Sequence, residues 1–221
     1  MSETKLKKNP IITFNILKTS IFFINEAIKR INELYNELIK IITPDTVFAC
    51  IGAIKTTSYI DSIGPQVGDL LKAAGIPYVY GTQSKPYNGF TAEKFTKIIN
   101  KHHKNNIVIA IDTACTMWPE KLYKILLENG SIRPGAGVNK KLSSVGDYAI
   151  KAYCADKNNM SLLYNSNLYS NKNCDSIIEE VDNCIDIIAT AIIKAYKYIV
   201  QQPTFDIIEK TNKRNKVNKM I

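Results

Sequence analysis

Asp61 and Asp112 are the residues of this 221-residue sequence that are best placed for acid–base chemistry. Asp112 directly follows Ile107–Ile111, a short apolar run with β-branched members, which predicts a strand buried on both faces. Asp61 lies between a predicted first strand, Thr46–Ile51, and a helix predicted over Pro65–Ala74. Because open α/β sheets bind ligands at the carboxyl ends of their strands, both aspartates are candidate catalytic residues.

The two aspartates together can do more than either one alone. If Thr46–Ile51 and Ile107–Ile111 are near neighbours in a parallel sheet, both carboxylates reach the same edge. Two carboxylates at close range cannot both ionise easily, so one pKa rises and the pair holds a single proton. Such a pair can activate a water molecule while it protonates a leaving group. Taken singly, Asp61 would also be explained as stabilising a helix terminus, and Asp112 as capping a turn.

The glycine-rich segment Pro134–Lys141 is the third candidate element. Gly135 and Gly137 would let backbone N–H groups approach a bound substrate. Asn139 and Lys140 would polarise a carbonyl group or neutralise an oxyanion, which makes the segment a candidate substrate-binding loop. A tight turn with solvated lysines is the alternative interpretation.

The remaining polar residues narrow the chemistry further. Cys115 follows Asp112 closely, but a cysteine nucleophile needs a base, and the histidines are His102 and His103. Both histidines precede the central strand and are therefore expected at its amino end, opposite Asp112. A Cys/His dyad is not expected, and a metal site on the aspartates would have no histidine ligand. We expect no cofactor; a metal bridging Asp61 and Asp112 is compatible with the residues but not implied by them.

Predicted strands alternate with predicted helices along the chain, which indicates an α/β fold. The expected architecture is one three-layer α/β/α domain with a mainly parallel or mixed central sheet. Leu122–Leu127 fits a strand or a helix equally well. The predicted helices span Ser20–Ile42, Pro65–Ala74 and Thr91–His103, with a last one starting at a capping box of Ser176 and Glu179; the predicted strands are Thr46–Ile51, Tyr78–Tyr80, Ile107–Ile111 and Tyr148–Cys154.

The charge and cysteine content exclude several classes of protein. The net charge of +9 is concentrated at the ends, in residues 1–8 and 209–221. A basic tail can bind nucleic acid, but a solvated end explains it as well, and nucleic acid is not the expected partner. Five cysteines without metal-ligand spacing favour reduced thiols in a cytoplasmic protein. No apolar run is long enough for a bilayer, so no membrane partner is expected.

Four segments of the chain, in the same order, resemble those of the YyaC-type sporulation protein family. That family is described as comprising candidate spore proteases related to the germination protease of spore-forming bacteria. The resemblance covers residues of about 46–200. The matching segments are Asp61–Pro65 (D-S-I-G-P), Val79–Thr82 (V-Y-G-T) with Pro86 beyond it, Ile109–Asp112 (I-A-I-D), and Pro134–Lys140 (P-G-A-G-V-N-K) followed by Val145–Asp147 (V-G-D).

The resemblance implies a function as well as a fold. It implies an endopeptidase of the germination-protease type that acts on a peptide or small spore protein, with Asp61 and Asp112 as its two implicated aspartates. It also implies a phosphorylase/hydrolase-like α/β/α fold, a place in the cytoplasm of the forespore or spore core, and compatibility with a homo-oligomer. A non-catalytic sporulation protein that binds a partner through the same cleft or through basic tails is the alternative.

The chain departs from the family pattern at two places. Family members tend to carry T-D-R-S-T-G directly before the D-x-h-G-P element, whereas this chain has Ala53–Ile60 there. Thr113 is an insertion relative to a D-A-C pattern. Residues 46–200 would then be the family-like core of a single domain, flanked by an N-terminal extension (1–19) and a basic C-terminal tail (204–221).

Overall fold

The computed structural model of the chain describes residues 10–135, 141–156 and 175–201, with side chains described from residue 23 onward. Helices and strands alternate in the first half of the chain, and three strands then follow one another before the last described helix. The helices are α1 (Pro10–Leu38), α2 (Ile63–Ala73), α3 (Ala92–His102) and α4 (Asp175–Gln201), and short 3-10 turns span Ile60–Ser62 and Pro119–Lys121. The strands are β1 (Val47–Cys50), β2 (Val79–Tyr80), β3 (Val108–Thr116), β4 (Ile125–Asn129) and β5 (Tyr148–Asp156).

The strands form one five-stranded sheet in the order β2-β1-β3-β5-β4. β1 is parallel to both β2 and β3, and β3 is parallel to β5. β4 is antiparallel to β5 and lies at one edge of the sheet. The segment Leu122–Leu127, whose pattern fits a strand or a helix, therefore overlaps an edge strand. The predicted α/β fold with a mixed, mainly parallel sheet is confirmed, and the two strands before the candidate aspartates are direct neighbours.

Two apolar clusters cover the two faces of the sheet. Because strand side chains alternate between faces, Ile109 and Ile111 point into the cluster that contains α1, α2 and α4. Val108 and Ala110 point into the other cluster, which α3 covers together with Ile132 and Val145. The sheet is therefore the middle of three layers, as predicted.

All four helices differ in their bounds from those predicted. α2 spans Ile63–Ala73 rather than Pro65–Ala74, and α3 spans Ala92–His102 rather than Thr91–His103. α1 starts at Pro10 rather than Ser20, because proline is well suited to the first turn of a helix, and it ends at Leu38 rather than Ile42. α4 starts at Asp175, so Ser176 is its second residue and not the predicted cap before it. No helix in the described parts of the chain combines the length and apolar character needed to cross a membrane.

The largest difference concerns β3, which extends beyond its predicted end at Ile111. Pairing with β5 continues from Asp112↔Lys151 to Thr116↔Asp156, with an irregularity between Thr113 and Cys115. The sequence pattern alone predicts that the strand ends before the polar residues that begin at Asp112. The hydrogen bonds to β5 keep these residues in the strand conformation. Asp112 is consequently inside β3 and not at its terminus, which corrects the prediction from the sequence.

The start of α2 packs against β1 more closely than a side chain allows. A Cβ at Gly64 would lie 2.0 Å from the carbonyl oxygen of Ile51, and one at Gly52 would lie 2.0 Å from the carbonyl oxygen of Asp61. Real Cβ atoms do not approach backbone oxygens this closely. The two glycines therefore let the loop that carries Asp61 lie directly over the end of β1.

Gly64→Ala is expected to lower the free energy of unfolding by about 1–3 kcal/mol, although alanine favours helix, because the new methyl group must displace backbone. Urea denaturation measures this value. Lys72→Ala, an exposed change on the same helix, is the control and should stay within about 0.5 kcal/mol of the unaltered chain. Equal stability of all three proteins would contradict this packing.

Candidate functional site

Asp112 lies at a step in the sheet, where β1 ends and β3 continues. Cys50 of β1 pairs with Ile111 of β3, and the N–H of Ile51 donates to the carbonyl oxygen of Ile111 at 2.7 Å. Asp112 is the next residue of β3 and is paired on its other side with β5. Asp112, which is half-buried, therefore lies just beyond the carboxyl end of β1, although its own strand β3 continues.

Asp61 lies above the same step, in the middle of the 3-10 turn that precedes α2. The N–H of Ala53 donates to the carbonyl oxygen of Asp61 at 2.9 Å, which closes the loop between β1 and the turn. The Thr113 hydroxyl donates to the carbonyl oxygen of Ile60 at 2.7 Å. Because Thr113 follows Asp112 and Ile60 precedes Asp61, this bond fixes the turn that carries Asp61 against the part of β3 that carries Asp112.

Burial raises the pKa of both carboxyl groups, and repulsion from Asp61 adds to the rise at Asp112. Burial raises the pKa of Asp61 to about 6, against the N–H of Ala53, which lowers it. The pKa of Asp112 is raised well above its ordinary value, first by burial and then by repulsion from Asp61. The N–H of Thr113, which donates to Asp112 Oδ1 at 2.8 Å, opposes this rise, as does Lys151. Between its two titrations the pair holds one proton.

Lys151 is a charged residue of this site that was not singled out from the sequence. It is the registered partner of Asp112 on β5, and its Nζ lies 2.7 Å from Oε2 of Glu128 on β4. The pKa of Lys151 is raised, mainly by the hydrogen bond to Glu128, so the side chain remains a cation. A lysine in the middle of the apolar strand Tyr148–Cys154 was the available signal.

Only part of the glycine-rich segment falls within the described residues. Gly135 has a positive φ of 73°, which suits glycine, whereas Gly137, Asn139 and Lys140 lie outside the described residues. The flanks of the segment are held by an antiparallel bridge between Ile132 and Val145.

One described flank of that segment is attached near the edge of the sheet that carries the aspartates. The N–H of Ser143 donates to Oε1 of Glu93 at 2.8 Å. Glu93 is in the first turn of α3, which follows the loop after the carboxyl end of β2. The chain on this side of the segment thus reaches the same edge of the sheet as Asp61 and Asp112.

The histidines and Cys115 lie apart from each other. His103 follows α3 at the amino end of β3, and its Nε2 lies 2.8 Å from the Tyr80 hydroxyl. Burial lowers the pKa of His103. Cys115 is half-buried on β3 beyond Asp112. The predicted position of His103 is confirmed, and no group of three or more His, Cys, Asp or Glu suited to a metal ion occurs among the described residues.

A pocket lined in part by acidic residues lies near the turn that carries Asp61. The side chain of Gln66 donates to the hydroxyl of Ser62, the neighbour of Asp61, at 2.8 Å. Gln66 also lines a pocket of about 410 Å³ between α2, α4 and the loop after β2. Burial and repulsion from Asp182 raise the pKa of Asp186. The seven lining residues are Gln66, Asp69, Leu70, Gln83, Asp182, Ile185 and Asp186.

The chain is similar to a protein of Bacillus subtilis and matches a family model. A stretch of 106 residues is 40% identical to the protein printed as "Uncharacterized protein YyaC" from Bacillus subtilis (strain 168). It covers 47% of this chain and 50% of the relative, so the match spans about half the length of that curated protein. The family model described as "Protein of unknown function (DUF1256)" matches residues 22–180. The YyaC-type resemblance is confirmed, and the chain belongs to the DUF1256 family.

Proposed function

We propose that the chain is a peptidase in which Asp61 and Asp112 together activate a water molecule for peptide-bond hydrolysis. The carrying observation is the pair itself: the turn that carries Asp61 is hydrogen-bonded to β3 next to Asp112, Asp61 acts electrostatically on Asp112, and both carboxyl groups have a raised pKa. Support for the reaction class comes from the resemblance of Asp61–Pro65 and Ile109–Asp112 to segments of the YyaC-type family, which is described as related to the germination protease.

The two aspartates have different roles in the proposed reaction. Asp61, with a pKa of about 6, is the anion at neutral pH and takes a proton from water, whose oxygen attacks the peptide carbonyl carbon. Asp112 holds the shared proton, because repulsion from Asp61 adds to burial in raising its pKa, and it donates that proton to the nitrogen as the C–N bond breaks. The pair ends the reaction with one proton on Asp61, which returns to Asp112.

The proposed substrate is a peptide or a small spore protein. In this proposal, Asn139 and Lys140 polarise the scissile carbonyl, and backbone N–H groups near Gly135 and Gly137 contact the substrate. The bond between Ser143 and Glu93 supports this assignment, because it attaches the chain just after the segment near the carboxyl edge of the sheet. A role in the forespore or spore core follows from the same proposal.

The main alternative is a non-catalytic sporulation protein that binds a partner. It is favoured by one described feature: Phe23, Ile24 and Ile28 of α1 are 62%, 58% and 50% exposed. Exposed apolar side chains on one helix are suited to contact with another protein. Under this alternative, Ile24→Ser with Ile28→Ser weakens partner binding and Asp61→Asn does not, whereas the peptidase proposal requires Asp61 for activity.

Asp61→Asn and Asp112→Asn are each expected to lower the rate of cleavage of spore-protein peptides by about 100-fold or more, because a positioned acid or base is lost. Their melting temperatures should be unchanged or raised, since each amide replaces a carboxyl group whose ionisation burial opposes. Asp45→Asn is the matched control, because Asp45 is exposed and precedes the amino end of β1. Full activity in both site variants would refute the proposal.

The pH dependence of activity should be bell-shaped. Activity should fall as the pH drops through about 6, because protonated Asp61 no longer accepts a proton from water. It should also fall at high pH, as Asp112 loses the proton that the leaving amine requires. Initial rates measured across the pH range test this, and a rate that stays constant on both sides of pH 6 would contradict the assigned role of Asp61.

Asp61 should also make stability pH-dependent. Because its pKa is higher in the folded chain than in the unfolded one, its contribution is fully present below pH 4 and is lost as the pH rises through about 6. Between pH 4.5 and 7.5 the wild-type chain should therefore lose about 2 kcal/mol more unfolding free energy than Asp61→Asn does. Urea denaturation at both pH values measures the difference, and identical losses would show that the Asp61 carboxyl is not perturbed.

A further inference from the structure

Charged side chains of alternating sign lie across three neighbouring strands beside the aspartate pair. Asp112 on β3 and Lys151 on β5 are registered partners in parallel strands, so their side chains leave the same face of the sheet. Glu128 on β4 is diagonal to Lys151 and forms an ion pair with it, Nζ to Oε2 at 2.7 Å. With Asp61 above Asp112, the order of these charged groups is acid, acid, base, acid.

The position of Lys151 is not explained by its ion pair with Glu128. The two side chains are 31% and 38% exposed, and ion pairs with that much solvent contact contribute little to stability. Apolar residues precede and follow Lys151 in a strand whose alternate positions are fully buried. What distinguishes this position from others on β5 is its register with Asp112.

We propose that Lys151 is a positioning residue that stabilises the state of the pair in which Asp112 is the anion and Asp61 carries the proton. That state follows donation of the Asp112 proton, so the inference rests on the proposed function and deepens it. A cation on the neighbouring strand favours the carboxylate form of Asp112 over its acid form. The ion pair with Glu128 restrains the ammonium group of Lys151. The attraction between Lys151 and Asp112 therefore lowers the proton affinity of Asp112, but Asp112 still binds its proton.

The charged groups around Asp112 are few among the described residues. Asp61, from the 3-10 turn, raises its pKa, and Lys151, from β5, lowers it. Glu128, from β4, acts on Asp112 through Lys151. The sign of each change is therefore defined. Removing the Lys151 charge strengthens proton binding by Asp112, and removing the Glu128 charge weakens it.

The test is a pH titration of the aspartate carboxyl carbons by NMR on the full chain, with Asp61→Asn and Asp112→Asn used to assign the two signals. Lys151→Met should raise the upper pKa of the pair, whereas Lys151→Arg, which keeps the charge, should leave it close to the wild-type value. Glu128→Gln should lower it. A purely structural role for Lys151 predicts altered melting temperatures without these opposed shifts, and an unchanged upper pKa in Lys151→Met would overturn the proposal.

Cleavage assays on the same proteins separate this inference from the proposed function. Opposed pKa shifts in a chain that cleaves no peptide would support the role of Lys151 and refute the peptidase. Cleavage whose alkaline limb does not move in Lys151→Met would support the peptidase and refute the role of Lys151. If both hold, the alkaline limb moves to higher pH in Lys151→Met and to lower pH in Glu128→Gln.

Discussion

Burial of two carboxyl groups at one step in the sheet is the constraint on which the proposed chemistry depends. Neither Asp61 nor Asp112 is unusual alone, since one precedes a helix and the other is part of a strand. Their closeness follows from the different lengths of neighbouring strands: β1 stops at Cys50, β3 continues to Thr116, and the 3-10 turn occupies the space above the step. Burial and the shared location then raise both pKa values, which gives the site one exchangeable proton.

The position of Asp61 is fixed by residues other than the two aspartates. Glycine at positions 52 and 64 lets the loop and the start of α2 lie against β1, and the Thr113 hydroxyl fixes the turn to β3. These contacts do not use the Asp61 carboxyl group, so they hold the position of Asp61 whatever its protonation state. A site of this kind is rigid where the acids are attached, and its variable part is the charge on the two carboxyl groups.

Much of the fold could be predicted from the sequence, because apolar runs and glycine–proline signals indicate local structure directly. Gly64 and Pro65 marked the start of α2, and the run Ile107–Ile111 marked a buried strand. The length of β3 could not be predicted in this way. Residues from Asp112 onward are in strand form because β5 pairs with them, and that pairing is a tertiary contact between distant parts of the chain.

The same limit applies to the site. Both aspartates could be predicted from the sequence, because each lies next to an element with a clear pattern. Lys151 could not, because its importance comes from the pairing of Lys151 with Asp112 on a neighbouring strand, which local sequence does not indicate. The most direct test of the central claim is cleavage of a spore-protein peptide in water enriched in ¹⁸O, with the products analysed by mass spectrometry. The account predicts one ¹⁸O atom in each new C-terminal carboxyl group. Intact peptide at every pH from 4 to 9 would contradict it.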